Sequence, residues 1–318
     1  ITARQVARKL GVRYVLEGDV QRHGDILRVS VRLADAGQGR LLWSDQFDRK
    51  TDNVFFLQDE ITLKVASSLF VKLSGGEEAK LLISSTSSVK TWSKMIKAMV
   101  LFEKFSKEAN DKSRELLREV VEIDPKYAIA WTLLAWTYWV DARLGFSPAP
   151  RDSFEKAVEL ARKATELDSS IPQVWALWGT IHLMQRDYDK ALAAGAKSIE
   201  LGPNMANNHL LYSQTLLYTG HLDQAIQHAK IAMRLYPTFP PWYQWHLGNC
   251  FFQAGRNQDA IEQYKIVLDR AQKGEISPLI ALSRLAAAYA ALGDEGQAKH
   301  YAQKALELRP DFRAGLVW

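Results

Sequence analysis

Seven histidines, at positions 23, 182, 209, 221, 228, 246 and 300, and one cysteine, Cys250, are the side chains best suited to hold a metal or attack a substrate in this chain of 318 residues. No two histidines stand four apart, the spacing that sets a pair of ligands on one helix face, and H-E-x-x-H is absent. His221 and His228 are seven apart and could share a face, yet no carboxylate beside them completes a ligand set. Asp59-Glu60 and Glu77-Glu78 are adjacent acids that point to different helix faces and belong in water. The phosphate-cradling G-x-x-x-x-G-K-[ST] and G-x-G-x-x-G runs and the nucleophile elbow G-x-S-x-G are also missing, and Gly37-Gln38-Gly39 is too short to replace them. Cys250 reads as a small buried apolar group. The sequence therefore predicts no catalytic residue, no metal and no cofactor.

What the chain has in surplus is aromatic surface, with ten tryptophans. With 47% hydrophobic and 24% charged residues it reads as folded throughout. A lone cysteine rules out an internal disulfide. The net charge of +5 comes from 41 basic and 36 acidic residues that are interspersed, so no arm for nucleic acid or anionic lipid stands out. The longest apolar stretch, Ala128 to Val140, is too short to span a bilayer. No signal peptide is visible, and the expected location is the cytoplasm, with no membrane contact.

Three stretches must position whatever acts. Residues 1–73 read as mixed α/β. Val6, Ala7 and Leu10 stripe a short helix that stops at Gly11, and Arg13 to Arg22 is strand-like up to a turn at His23-Gly24-Asp25. Leu27, Val29, Val31 and Leu33 then alternate with Arg28, Ser30 and Arg32, which predicts a strand with one solvated face. A hairpin through Asp35–Gly39 leads to Arg40–Phe47, where Leu41, Trp43 and Phe47 are expected on one face. Asp52 would cap a helix carrying Val54, Leu57, Ile61, Val65 and Leu69 to about Leu73. Three strands and two helices make a thin core, so the module is expected to continue upstream of Ile1. An open sheet edge there makes a second copy of the chain a candidate partner. Residues 74–90, rich in Gly, Ser and Thr, read as a linker.

Residues 91–318 lack strand signals and repeat themselves. One unit has Trp175, Trp178, Gly179, Ala191 and Pro203, and the next Tyr212, Ser213, Gly220, Ala225, Ala232 and Pro237. A third has Leu247, Gly248, Phe251, Ala260 and Tyr264, and the last Leu285, Ala286, Tyr289, Ala298, Ala305 and Pro310. Upstream, Trp131, Leu134, Ala135 and Tyr138 open a unit that closes on Ala157 and Ala164, with ten surplus residues around Asp141 to Arg151. A weaker first unit runs from about Lys94 to Pro125. The 34-residue spacing, with small residues where helices touch and proline where they stop, resembles the tetratricopeptide repeat (TPR) in about six copies.

That resemblance implies antiparallel helix pairs stacked as an α-α solenoid, a right-handed superhelix whose concave face is lined by positions 2, 5, 9 and 12 of each first helix. These positions hold Trp136 and Trp139, Gln214, and Trp242, Trp245 and Asn249, with Arg284 at position 6 of the last unit. Of the carboxylate clamp known in such proteins only Asn249 and Arg284 have counterparts. An apolar or amphipathic peptide, with Asn249, Gln214 and Arg284 on its backbone, suits the aromatic groove better. Equally open is that the tryptophans fill the superhelix or pack on residues 1–73. The surplus near Phe146 could fold across the groove.

Val6–Val20, Asp25–Val29, Leu42–Arg49 and Val54–Ile61 are similar to a module resembling the TolB amino-terminal domain. That module often stands between a class III adenylate/guanylate cyclase domain and a TPR array, or beside winged-helix domains of transcriptional regulators. The resemblance implies a non-catalytic, regulatory, protein-binding region of a bacterial signalling protein, with a scaffold lacking any cyclase as the alternative.

Overall fold

The computed structural model describes residues 3–36, 39–50, 57, 58, 60–62, 64, 65, 89–104 and 106–311. They fall into two compact units, Ile1–Tyr127 and Ala128–Trp318.

The first unit starts with α1 (Ala3–Leu10), which ends where Gly11 takes a φ of +65°. Three antiparallel strands follow in sequential order, β1 (Tyr14–His23), β2 (Ile26–Asp35) and β3 (Arg40–Lys50). Gly24, at φ +58°, makes the tight turn between His23 and Ile26, as the sequence predicts. The alternation in β2 is realised: Val29, Val31 and Leu33 are buried, while Arg28 and Arg32 are exposed. Leu57, Ile61 and Val65 lie in helical backbone and pack on Val29, Val31 and Phe47. Asp52, Val54 and Leu69 lie outside the described residues, as does most of the expected linker.

One expectation fails. Leu41 does not share a face with Trp43 and Phe47. Leu33 pairs with Trp43 but Ala34 pairs with Leu41, so Leu42 is an extra residue in β3. Such a bulge turns everything before it to the opposite face, and Leu41 is exposed. Simple alternation carries no sign of a bulge.

The remaining described chain is helical. In the first unit α2 (Val89–Phe102) packs on α3 (Lys107–Ile123), which Ser106 caps through the Ala109 N–H. Leu117 and Val120 are buried on α3. The helix begins at Val89, inside the stretch read as linker.

The second unit consists of five antiparallel pairs: α4 (Ala128–Leu144) with α5 (Pro150–Leu167), α6 (Pro172–Met184) with α7 (Tyr188–Leu201), α8 (Ala206–Tyr218) with α9 (Leu222–Leu235), α10 (Pro241–Gln253) with α11 (Asn257–Gln272), and α12 (Pro278–Leu292) with α13 (Glu295–Leu308). Each pair is closed by one turn. The N–H groups of Phe146, Asp187, His221, Arg256 and Asp294 reach the carbonyls of Asp141, His182, Leu216, Phe251 and Tyr289 at 2.9–3.1 Å. Just before each donor the backbone is left-handed, at Gly145, Arg186, Gly220, Gly255 and Gly293. Small residues let the helices meet: Gly179 approaches Gly195, and Ala191, Ala225, Ala232, Ala260 and Ala305 are buried.

The ten surplus residues do not fold across the repeats. They lengthen both helices of the first pair, with α4 and α5 at 17 and 18 residues against 13 and 14 in α6 and α7, and the turn takes the rest. A helical turn added to each antiparallel partner keeps their packing in step, so the insertion is absorbed without a loop.

Candidate peptide-binding surface on the repeats

The first helices of successive pairs stand side by side: α4 packs on α6, α6 on α8 and α8 on α10. The residues expected in a groove sit along this row, but they are not equivalent. Trp136 is only 8% exposed and is a core residue in practice. Trp139, Gln214, Trp242, Trp245 and Arg284 are half-buried, and Asn249 is buried.

Three local groupings form. On α4, Trp139 meets Trp136 edge to face, with ring centroids 5.2 Å apart. On α10, Trp242 lies against Tyr243 at 4.5 Å, and the Tyr243 hydroxyl donates to Asn207 Oδ1 at 2.6 Å. The third joins two helices: the Arg284 guanidinium of α12 lies 5.8 Å above the Trp245 ring of α10. Beside it the Tyr264 hydroxyl donates to Asn249 Oδ1 at 2.8 Å, which orients the amide and leaves its NH₂ to donate. The Arg284 Nε, like Trp139 Nε1 and Trp245 Nε1, is buried without an acceptor among the described residues. Trp242 and Trp245 pack on separate apolar clusters, Trp242 with Ala206, Leu210 and Ala232 of the preceding pair and Trp245 with a larger cluster that reaches from Leu216 to Leu285. The four tryptophans of α4 and α10 do not converge; α6 and α8 stand between them.

The sequence missed two polar clusters behind this row. Ser213 Oγ, His246 Nε2 and Cys250 Sγ lie within 2.8–3.7 Å of one another, all buried. The trio resembles a catalytic set but has the wrong polarity. The Ser213 hydroxyl gives its proton to the Ala225 carbonyl at 2.6 Å, so its oxygen accepts from His246 Nε2–H. A base would have to do the reverse. Burial holds the His246 imidazolium down to about 4 and pushes the Cys250 thiol up to about 12, so both stay neutral. The four-residue spacing of His246 and Cys250 was the available signal.

His228 does not pair with His221, which meets Thr219 Oγ1 at 3.1 Å. It pairs with His209 instead, Nδ1 to Nδ1 at 2.9 Å. His209 Nε2 donates to the Pro203 carbonyl, so in the neutral pair its Nδ1 accepts and His228 Nδ1 donates. Burial, then the neighbouring His209, hold His228 down to about 4. Among the described residues no group of three or more His, Cys, Asp or Glu side chains could hold a metal. Nor is any helix long and apolar enough to cross a membrane.

Comparison with known proteins agrees with the repeat geometry. Models of the tetratricopeptide repeat match residues 151–206 and 241–311. A Rhizobium meliloti (strain 1021) protein named "Putative adenylate cyclase 3" is 33% identical over 132 residues, which is 42% of this chain and 22% of that protein. A Mycosarcoma maydis relative, small glutamine-rich tetratricopeptide repeat-containing protein 2, is 36% identical over 91 residues, 27% of this chain and 24% of its own length. The matches thus span about a quarter or less of either relative. Among solved structures, the type IV pilus biogenesis factor PilW superposes with a TM-score of 0.53 at 17% identity, covering 70% of this chain and 96% of that one. The Cut9–Hcn1 hetero-tetramer structure gives 0.55 at 15% identity over 80% and 44%. Both matched family models are tetratricopeptide-repeat models, not catalytic ones, and the helical pairs of this chain have the fold of a tetratricopeptide-repeat solenoid.

Proposed function

We propose that the repeats bind a protein partner through an apolar or amphipathic segment laid along the row of first helices, centred on Trp242, Trp245, Asn249 and Arg284. The observation that carries this is the Arg284–Trp245 stack between α10 and α12. A half-buried guanidinium whose Nε has no acceptor among the described residues, on an aromatic face and beside an oriented amide, suits the carbonyls and apolar side chains of an extended peptide. Trp139 and Gln214 extend the same row. The similarity to a protein named as an adenylate cyclase, with the TolB-like resemblance of residues 1–73, supports a regulatory role in a bacterial signalling protein of the class III cyclase kind. In that reading the α/β module relays partner binding to a catalytic domain.

Peptides selected from a displayed random library on the intact chain test the reading. Trp242→Ala with Trp245→Ala should abolish binding of the selected apolar or amphipathic peptides while helical content is unchanged. Peptides that bind this variant as tightly as the parent would place the site elsewhere.

A further inference from the structure

Among the described residues, one edge of the sheet in the first unit has no strand beside it. β1 pairs with β2, and among the described strands none pairs with its other side. A ten-residue strand therefore turns unpaired N–H and C=O groups outward. Leu16, Gly18 and Val20 stand opposite Leu33, Val31 and Val29, and so share the face that Leu57, Ile61 and Val65 cover. The cover reaches β2 and β3 but stops short of β1, where Leu16 is 50% and Val20 65% exposed. On the other face Glu17 and Asp19, with Gly18, Ser30 and Arg32, line a shallow depression. The opposite edge is differently guarded. On β3, Asp45, Asp48 and Arg49 are tied to Lys64, Arg28 and Glu60. Among the described residues no ion pair holds Glu17 or Asp19; Asp19 accepts only a 3.3 Å hydrogen bond from Gln21.

We propose that β1 is a docking edge for an extended segment of another protein in which apolar residues alternate with lysine or arginine. Side chains alternate between faces along a strand. An added strand thus sets its apolar residues beside Leu16 and Val20 and its cations beside Glu17 and Asp19. A second copy of β1 fits poorly. Antiparallel self-pairing about Gly18 sets Leu16 against Val20 but Glu17 against Asp19. Pairing about Glu17 or Asp19 sets that acid against its own copy. Carboxylates oppose each other in all three of these registers, and pairing about Leu16 or Val20, which avoids that, overlaps only residues 14–18 or 17–23 and leaves Val20 or Leu16 uncovered.

The test uses the intact chain and two end-capped heptapeptides, one alternating lysine with valine and one alternating glutamate with valine. Binding is read by fluorescence anisotropy and by amide hydrogen exchange over residues 14–23. The lysine peptide should bind about tenfold more tightly than the glutamate peptide, from two favourable cross-strand pairs, and should slow exchange in β1. Glu17→Lys with Asp19→Lys changes exposed side chains only and should invert the preference. Three results would overturn the proposal: an unchanged preference in that variant, protection outside β1, or protection of 14–23 that grows with protein concentration alone. The last would make a second copy the occupant. None of these results depends on the repeat surface.

Discussion

His246 shows how one residue sets the response of the repeats to acid. It is buried beside Ser213 and neutral in the folded chain, with its titration held down to about 4, whereas unfolded it titrates near 6.5. Between those values the unfolded state binds more protons, so stability rises with pH in that window. It is fully present above about 6.5 and lost as pH falls towards 4. His228, held down to about 4, adds in the same direction, discounted because it is half-exposed to solvent. The unfolding free energy from urea titration should fall by roughly 3 kcal/mol from pH 7 to pH 4.5, with a lower midpoint, and His246→Leu should flatten the slope. A midpoint independent of pH would contradict the buried-neutral assignment. Cys250 gives a second residue-scale prediction: its buried thiol, pushed up to about 12, should resist a disulfide reagent until the chain unfolds. The sequence showed Cys250 as a core position. It could not show Ser213, 37 residues away and brought alongside by packing.

At the scale of elements, the turn between paired helices uses a left-handed residue five times, and only Arg186 is not glycine. A side chain with φ near +60° is strained, so Arg186→Gly should raise stability by ~0.5–1 kcal/mol, measured by thermal unfolding. Close helix approach supplies a contrasting pair. A Cβ at Gly248 would sit 2.6 Å from the Tyr264 ring, whereas at Gly179 the nearest atoms lie at 3.5 Å. Gly248→Ala should cost about 1–2 kcal/mol. Gly179→Ala should be neutral or stabilising, since alanine is the better helix former by ~1 kcal/mol. These elements were largely legible in the sequence, because small residues, left-handed glycines and terminal prolines recur at fixed spacing. The bulge at Leu42 and the lengthening of α4 and α5 were not. A bulge leaves no mark on alternation, and a surplus read by counting has no shape until its helices are seen to share it.

For the whole molecule, the pattern that identified the repeats is the pattern of their packing, so architecture was readable and the proposed binding surface only in part. Positions 2, 5, 9 and 12 named the side chains of the row but not their depth, which separates buried Trp136 from half-buried Trp242 and Trp245. Nor could spacing show that Arg284 would reach Trp245 across two helices. Hydrogen exchange on the intact chain, with and without a selected peptide at saturation, tests the central claim most directly. The account predicts slowed exchange in the first helices, strongest in α10 and α12 around Trp245 and Arg284. Protection confined to the second helices of the pairs, or to the α/β unit, would contradict it.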